Sequence, residues 1–297
     1  MPRTSRILTK AKPATRTGGD QVQSIVRALG LLTRIAASPT GRASLTDLAQ
    51  QVGLPSSTAH RLLTTLEQER FVRFDQNNRV WSIGVEAFST GYAYTKTRNL
   101  LTLARSHMKL LMEESSETIN LAEEDEGEAV YLAQVECRQI MRVFAHPGSR
   151  VPLHCSAVGK AILATMPLKS VAKILHRHGM PQLTVKTRTT PQALAEDLEK
   201  ARQSGFAVDD EEHAVGLRCI AAPIFNETGD CVAAVSVSGP TARIDEGRIV
   251  SLGAMALATA QSISAEMGNK TQRRGLTGFS SSHLTRPGAI AYSKEAE

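Results

Sequence analysis

Several short stretches of the sequence carry side-chain types that catalyse reactions or bind metals. Residues 154–156 read His-Cys-Ser, which places potential nucleophiles and a base side by side. Neighbours on an extended segment point apart, whereas a catalytic pair must lie within hydrogen-bonding distance. His176, His178 and the acidic run at 209–213 match no standard metal-ligand spacing. Gly-rich phosphate loops of the G-x-G-x-x-G or Walker type are also absent from the sequence. We therefore predict no enzymatic activity, no metal site and no cofactor.

A second stretch, residues 44–83, has side chains that suit contact with DNA. At about 100° per residue, the segment after Pro55 has small and polar side chains on one helix face and apolar ones on the other. A helix in the major groove, which is about 12 Å wide, needs small or polar residues near its N-terminal end. Arg61 could contact a guanine or a phosphate, and the sequence does not decide between them. The predicted DNA-contacting residues are Ser56, Ser57, Thr58, His60, Arg61, Thr64, Arg73 and Arg79.

Apolar periodicity predicts the elements that would position these side chains. One helix ends near Ala36, a second is capped by Ser44 and closed by Gly53, and a third follows at Ser56. Period-two alternation on both sides of the turn at 75–78 predicts a two-stranded wing. This order is typical of a winged helix-turn-helix, although a similar three-helix unit could instead contact another protein.

From Thr118 onward the pattern changes to mixed strands and helices. Strands are predicted at 118–123, 129–136, 140–144, 217–225 and 231–238. Helices are predicted at 157–164, 171–177, 191–204 and 245–267. Strands that neighbour each other in sequence, with helices around them, predict an antiparallel-rich sheet covered by helices.

Length, composition and charge agree with two different modules. The chain has 297 residues, more than the roughly 100 to 200 of a typical domain, and is 41% hydrophobic, as folded proteins are. Residues 1–84 carry a net charge of +7 and residues 85–297 a net charge of −1, which indicates a nucleic-acid-facing module followed by one with another task. The four cysteines are far apart, so we expect reduced thiols, and no apolar run reaches the roughly 18 residues of a membrane span. We predict a cytoplasmic protein without membrane contact.

Three segments carry a resemblance to a known family. They read LTDLAQQVGLPSSTAHRLLTTLEQERFVR, GSRVPLHCSAVGKAILA and GFAVDDEEHAVGLRCIAAPIFNETGDCVAAVSVSGP. In these segments, and over residues 21–267, the chain resembles the IclR family of bacterial transcription regulators, most of all members that sense glyoxylate. The resemblance implies an α+β fold with an N-terminal winged helix-turn-helix domain, a linker helix and a C-terminal α/β (GAF/profilin-like) effector-binding domain. It also implies a repressor that binds a pseudo-palindromic double-stranded DNA operator as a homodimer or a dimer of dimers.

The resemblance and the periodicity together divide the chain into five segments. These are a basic disordered arm at 1–20, a DNA-binding domain at 21–84, a linker helix at 85–99, an effector-binding domain at 100–267 and a disordered tail at 268–297.

The resemblance further implies a site for a small 2-oxo acid such as glyoxylate or pyruvate. Matched motif by motif, its residues are Ile140, Val143, Ala157, Val158, Asp209, Leu217, Cys219, Ser236 and Ser238. Ser156 can cap a helix whose first free N–H groups suit a carboxylate. Asp209 repels an anion unless it is protonated or accepts hydrogen bonds, which the gem-diol of hydrated glyoxylate can donate. Cys219 could add to the aldehyde as a thiolate, but packing as a small apolar side chain is favoured.

Some positions depart from the family pattern. Ala157 and Val158 stand where close members have Gly and Ala, which changes the predicted shape of the pocket. Arg70 stands where a glycine usually follows the recognition helix, so it carries a strain cost or forces another helix ending. Two alternatives stay open. One is an activator, or a regulator that senses another acid such as an aromatic one, and the other is a small-molecule enzyme.

Overall fold

The computed structural model describes residues 22–97, 99–143 and 145–269, and the chain divides into two units after Thr97. The predicted basic arm and residues 270–297 of the predicted tail lie outside the described residues. None of the described helices is long and apolar enough to cross a membrane. The proposed boundaries of the five segments stay a prediction.

The first unit packs three helices against a small sheet and continues into a fourth helix. Its elements are α1 (Gln23–Ala36), β1 (Arg42–Ser44), α2 (Leu45–Val52), α3 (Ser56–Gln68), β2 (Val72–Asp75), β3 (Val80–Ile83) and α4 (Val85–Thr97). Leu31, Leu48, Leu63 and Trp81 are fully or almost fully buried in its core. The sheet has three antiparallel strands in the order β1-β3-β2, so the predicted two-stranded wing was incomplete. A three-residue strand such as β1 is too short to show a period.

Local capping residues fix the turn between α2 and α3. The Ser44 hydroxyl accepts a hydrogen bond from the backbone N–H of Asp47 at 3.2 Å, which starts α2 where the sequence predicts. Gly53 takes φ of 70° and ends the helix, and the N–H of Leu54 donates to the carbonyl of Ala49 at 2.9 Å. Because α3 begins only three residues later, its direction is set by this turn.

Arg70 ends α3 in the left-handed conformation that glycine usually supplies. Its φ is 60°, its N–H donates to the carbonyl of Glu67, and the N–H of Phe71 donates to that of Leu66, both at 2.8 Å. The carbonyl of Arg70 accepts from the N–H of Glu86 at 3.1 Å, and a Cβ on Gly84 would overlap with that carbonyl. Contacts with the start of α4 therefore hold a strained residue in place, and the expected strain is present at this position.

We expect Arg70→Gly to raise the free energy of unfolding of the first unit by about 0.5 to 1 kcal/mol, because glycine takes positive φ without steric cost. The exposed ion pair of Arg70 with Glu86, at 3.4 Å, offsets little of this gain. Denaturation followed by the fluorescence of Trp81, the single tryptophan of the chain, reports on this unit. Arg70→Ala keeps the Cβ and loses the ion pair, so it should not stabilise. Equal gains from both variants would contradict the explanation.

The second unit is one antiparallel sheet between two layers of helices. Its elements are α5 (Asn99–Ser115), β4 (Thr118–Asp125), β5 (Glu128–Val135), β6 (Arg150–Pro152), α6 (Ala157–Thr165), α7 (Leu168–His178), α8 (Pro191–Ser204), β7 (Ala207–Asp210), β8 (Leu217–Phe225), β9 (Cys231–Pro240), a 3-10 turn (Glu246–Arg248) and α9 (Ile249–Glu266). The strand order is β6-β5-β4-β9-β8-β7, and every pair is antiparallel.

Period-two alternation in the central strand β9 separates the two faces of the sheet. Val235 and Val237 pack into the core that α5 and α9 cover, as do Ile119 and Leu121 of β4. Ser236 and Ser238 point to the other face, where α6 and α8 pack. This alternation puts two hydroxyl groups beside the N-terminal end of α6.

Three local predictions differ from the observed elements. Residues 140–143 form no strand: Ile140 is fully exposed and Met141 largely so, and an apolar run alone does not form a strand without a partner strand in the sheet. The short strands β6 and β7 were not predicted, since three or four residues show no clear period. The last helix begins at Ile249, because Asp245 caps a separate 3-10 turn before it.

Candidate DNA interface and effector cavity

The exposed face of α3 carries the residues that the sequence predicted for DNA contact. Ala59 and Leu63 are buried beneath this helix, which leaves the opposite side polar. On the helix, Ser56, Ser57, His60 and Arg61 are exposed, and Thr58 and Thr64 are half-buried. Arg73 and Arg79 are exposed on the wing, Arg79 in a turn with φ of 54°. The arrangement gives one helix with small side chains at its N-terminal end and two exposed arginines on the neighbouring wing.

Side-chain contacts attach α3 to the wing. The rings of His60 and Trp81 meet edge to face with centroids 6.4 Å apart, and Trp81 lies 4.8 Å from Phe74. One carboxylate oxygen of Glu67 accepts the backbone N–H of Phe74 at 3.0 Å. Sequence reasoning did not give Glu67 a role. The only signal that could have suggested a structural role for Glu67 is its position at the edge of the helix face that packs against the core, where it is half-buried.

A cavity of about 350 Å³ lies in the second unit, on the face of the sheet that α6 covers. Eight of the nine predicted effector residues line it. They are Val143, Ala157, Val158, Asp209, Leu217, Cys219, Ser236 and Ser238. The ninth, Ile140, lies outside the cavity with a fully exposed side chain.

The N-terminal end of α6 presents free donors to this cavity. Ser156 caps the helix: its hydroxyl accepts from the N–H of Gly159 at 3.2 Å and donates to the carbonyl of Pro152 at 2.8 Å. Within the part of the chain that is described, the N–H groups of Ala157 and Val158 have no acceptor. A Cβ on Gly159 would overlap with the backbone of Leu153, so only glycine allows this close approach. Two free N–H groups at the positive end of a helix bind an anion well.

Asp209 faces the same cavity from β7. Its Oδ1 accepts the N–H groups of Glu212 at 2.8 Å and His213 at 3.2 Å, and its Oδ2 has no partner among the described residues. Desolvation by burial is the main effect on this carboxyl and raises its pKa to about 7, against the lowering effect of the two N–H donors. At neutral pH the carboxyl group of Asp209 therefore exists in both forms: the protonated form can donate a hydrogen bond, and the ionised form only accepts.

A row of polar side chains crosses the sheet beside Asp209. The hydroxyl groups of Ser236 and Ser238 lie 3.4 Å apart, and the amide of Asn120 donates to Ser238 at 3.2 Å. Asn120 in turn accepts from the amide of Gln134 at 2.8 Å. Burial raises the pKa of the Cys219 thiol, so the thiol stays protonated at neutral pH, and a protonated thiol favours packing over addition to an aldehyde.

Two family models match the chain. The IclR helix-turn-helix domain matches residues 24–76, and the bacterial transcriptional regulator IclR C-terminal domain matches residues 92–265. The second match alone spans more than half of the sequence.

The chain belongs to the IclR family.

Individual relatives agree with this family. The transcriptional repressor IclR of Escherichia coli strain K12 is 44% identical over 261 residues, which cover 87% of this chain and 95% of the relative. The HTH-type transcriptional repressor AllR of the same organism is 39% identical and covers 88% and 95%. The crystal structure of the Thermotoga maritima IclR superposes with a TM-score of 0.70 at 30% identity, over 84% of this chain and all of that one. These curated relatives are repressors and not enzymes, so this IclR-family chain is a DNA-binding repressor.

Some residues of the cavity were not predicted as site residues. Tyr131 of β5, Arg150 and Val151 of β6, and His213 line it. Arg150 is held by Asp125 and lies 3.5 Å from Glu128, so its charge is already compensated. The Nδ1 atom of His213 is buried without a partner in the described structure, and burial lowers the pKa of this imidazole. In the sequence, the only indication of a role for His213 is its position at the end of the run DDEEH, which begins with Asp209.

Proposed function

We propose that this IclR-family repressor binds a small 2-oxo acid, glyoxylate or pyruvate, in the cavity beside α6, and that the bound acid weakens its hold on DNA. The observation that carries the proposal is that two free N–H groups, at Ala157 and Val158, and the carboxyl group of Asp209 line the same cavity. The amides suit a carboxylate, and Asp209 suits the oxygen atoms on the neighbouring carbon. Ser236 and Ser238 add hydroxyl donors.

For the DNA side, we propose that α3 enters the major groove with Ser56, Ser57, Thr58, His60, Arg61 and Thr64, while Arg73 and Arg79 approach the phosphates. The exposure of a face with small residues at its N-terminal end supports this orientation. The bacterial chromosome is its partner in this proposal, so we place the protein in the cytoplasm.

We further propose a homodimer that forms through the DNA-binding units, with a dimer of dimers as its larger assembly. The supporting observation is an apolar stripe along α1, where Val22, Ile25, Val26 and Leu29 are each about half exposed. They recur at positions i, i+3, i+4 and i+7, which gives one apolar helix face that the other described residues leave exposed. A symmetric dimer would read a pseudo-palindrome with half-sites about one helical turn apart.

Pyruvate binding should weaken about tenfold between pH 6 and pH 8, because the pKa of Asp209 is about 7 in the empty cavity. The keto oxygen of pyruvate can only accept, so it pairs with protonated Asp209, and ionised Asp209 repels the carboxylate. Hydrated glyoxylate should depend less on pH, since its gem-diol donates to the ionised form. Calorimetry at several pH values measures both dependences. A pyruvate affinity that rises with pH would contradict this assignment.

The first experiment is an anisotropy titration of the protein on DNA from directly upstream of its own gene, with and without glyoxylate. We expect specific binding that glyoxylate weakens by about 5- to 150-fold, the usual range of allosteric coupling. An unrelated duplex of equal length is the control. Specific binding that ignores glyoxylate but responds to pyruvate or to a benzoate-type acid would change the ligand and keep the DNA-binding role. If the protein binds the upstream duplex no better than the unrelated one, other candidate operators are to be titrated next.

A further inference from the structure

An unusual buried ion pair joins two segments that contribute residues to the cavity. Lys160 of α6 is only 2% exposed, although lysine rarely lies inside a protein unless it is paired. Its Nζ pairs with Oε1 of Glu212, which is 4% exposed, and lies 3.5 Å from Oδ2 of Asp197. Neither Lys160 nor Glu212 lines the cavity. The pair is therefore outside the set of residues that would touch an effector.

The two partners of this pair lie on the elements that form two walls of the cavity: α6, which contributes Ala157 and Val158, and the turn after β7, which contributes His213 beside Asp209. Lys160 lies one helical turn after Ala157, and its N–H donates to the carbonyl of the cap residue Ser156 at 2.8 Å. Glu212 follows β7, and its own N–H donates to the carboxylate of Asp209 at 2.8 Å. The ion pair thus connects the helix end that carries the free N–H groups with the turn that holds Asp209.

Further contacts hold the carboxylate side of the pair in place. The carbonyl of Glu212 accepts from the hydroxyl groups of Thr187 at 2.6 Å and Thr184 at 3.3 Å. Asp197 is held by Arg188 at 2.8 Å. The Oε2 atom of Glu212, however, is buried without a partner in the described structure. An ion pair with an unsatisfied oxygen stabilises a fold poorly compared with apolar side chains of similar volume, so stability alone does not explain it.

We propose that Lys160 and Glu212 form a positioning pair that fixes the spacing of the two cavity walls and sets the charge on Asp209. This inference rests on the proposed effector site. Lys160 and Glu212 act on the Asp209 carboxyl group by their charge, and the backbone N–H groups of Glu212 and His213 act on it by hydrogen bonding. Asp209 in turn raises the pKa of Tyr131, Cys155 and Cys219. Burial lowers the pKa of the His213 imidazole, which lines the same cavity. Burial raises the pKa of Tyr131 and of both thiols, so these three are neutral at pH 7. Lys160 and Glu212 are then the charged neighbours, and they act in opposite directions: Lys160 lowers the pKa of Asp209 and Glu212 raises it.

Glu212→Gln tests the charge effect, because glutamine keeps an acceptor for Lys160 and removes the negative charge. The readout is the ¹³C carboxyl signal of Asp209 against pH in the full-length protein without ligand, assigned by its loss in Asp209→Asn. We expect the midpoint to move from near 7 to a lower pH by more than half a unit. Glu117→Gln is the matched control: Glu117 is 1% exposed and paired with Arg243, and it should leave the midpoint unchanged. An unmoved midpoint in Glu212→Gln, or equal shifts in both variants, overturns the proposal.

The double variant Lys160→Met with Glu212→Leu tests the positioning effect, since it removes both charges together and leaves no unpaired ion. We expect it to keep its fold by circular dichroism and to bind glyoxylate and pyruvate about tenfold more weakly, with the Asp209 midpoint little changed. A folded double variant with wild-type affinity for both acids overturns the positioning role. The NMR titration needs no effector, so it stays decisive even if the wild-type protein binds neither acid and the proposed ligand is wrong. If the double variant does not fold, the NMR titration of Glu212→Gln still tests the effect of the pair on the charge of Asp209.

Discussion

Replacement of Arg61 by alanine is expected to weaken specific operator binding by about 10- to 100-fold and to leave effector affinity unchanged. Arg61 is exposed on α3, one turn after the small residues that would let the helix backbone approach the bases. A guanidinium there can bind a guanine with two hydrogen bonds or contact a phosphate. Arg61 belongs to the first unit, whereas the residues that line the cavity belong to the second.

Anisotropy titrations on operator and unrelated duplexes at two salt concentrations distinguish the two contacts. A guanine contact predicts a loss confined to the operator, whereas a phosphate contact predicts an even loss on both duplexes with a smaller dependence on salt. Arg177→Ala, the same change at an exposed arginine of α7, is the control and should bind DNA normally. Loss of effector binding together with DNA binding in Arg61→Ala would mean that the substitution unfolds the protein, and it would remove the support for a local role.

Asp209→Asn is expected to change the preference between glyoxylate and pyruvate by about 10- to 100-fold in favour of pyruvate, the size of one hydrogen bond to a charged group. Asparagine can still accept the N–H groups of Glu212 and His213 through Oδ1, so the turn after β7 should survive. Its second position changes from a carboxylate oxygen to an amide donor, which suits a keto oxygen and no longer accepts from a gem-diol. The pH dependence of pyruvate binding should disappear as well.

Calorimetric titration with both acids measures this preference directly. Asp210→Asn is the matched control, because Asp210 is the next residue of β7 and pairs with Lys186 at 3.1 Å and with Arg218 at 2.5 Å, outside the cavity. We expect that variant to keep the wild-type preference. An unchanged ratio of affinities in Asp209→Asn would refute the role given to this carboxyl group.

The sequence by itself determined the features that depend on neighbouring residues. The cap at Ser44 and the turn at Gly53 are local hydrogen-bond patterns, and they placed α2 and α3 correctly. Thr190 and Gly205 likewise set both ends of α8. Period-two alternation is enough to predict that Ser236 and Ser238 lie on one face of β9. In each case the physical cause lies within a few residues, so a single stretch of sequence contains it.

The tertiary structure alone decided what depends on strands that are distant in sequence. The strand β4 joins β5 to β9, and β8 joins β9 to β7, so this strand order brings Tyr131 of β5 into one cavity with Asp209 of β7. The same packing leaves Ile140 outside and buries Lys160, which in the sequence looks like one polar residue on a helix. Burial and the resulting desolvation are sums over many elements. They set the pKa of Asp209 and the need of Lys160 for a partner, and no local pattern records them.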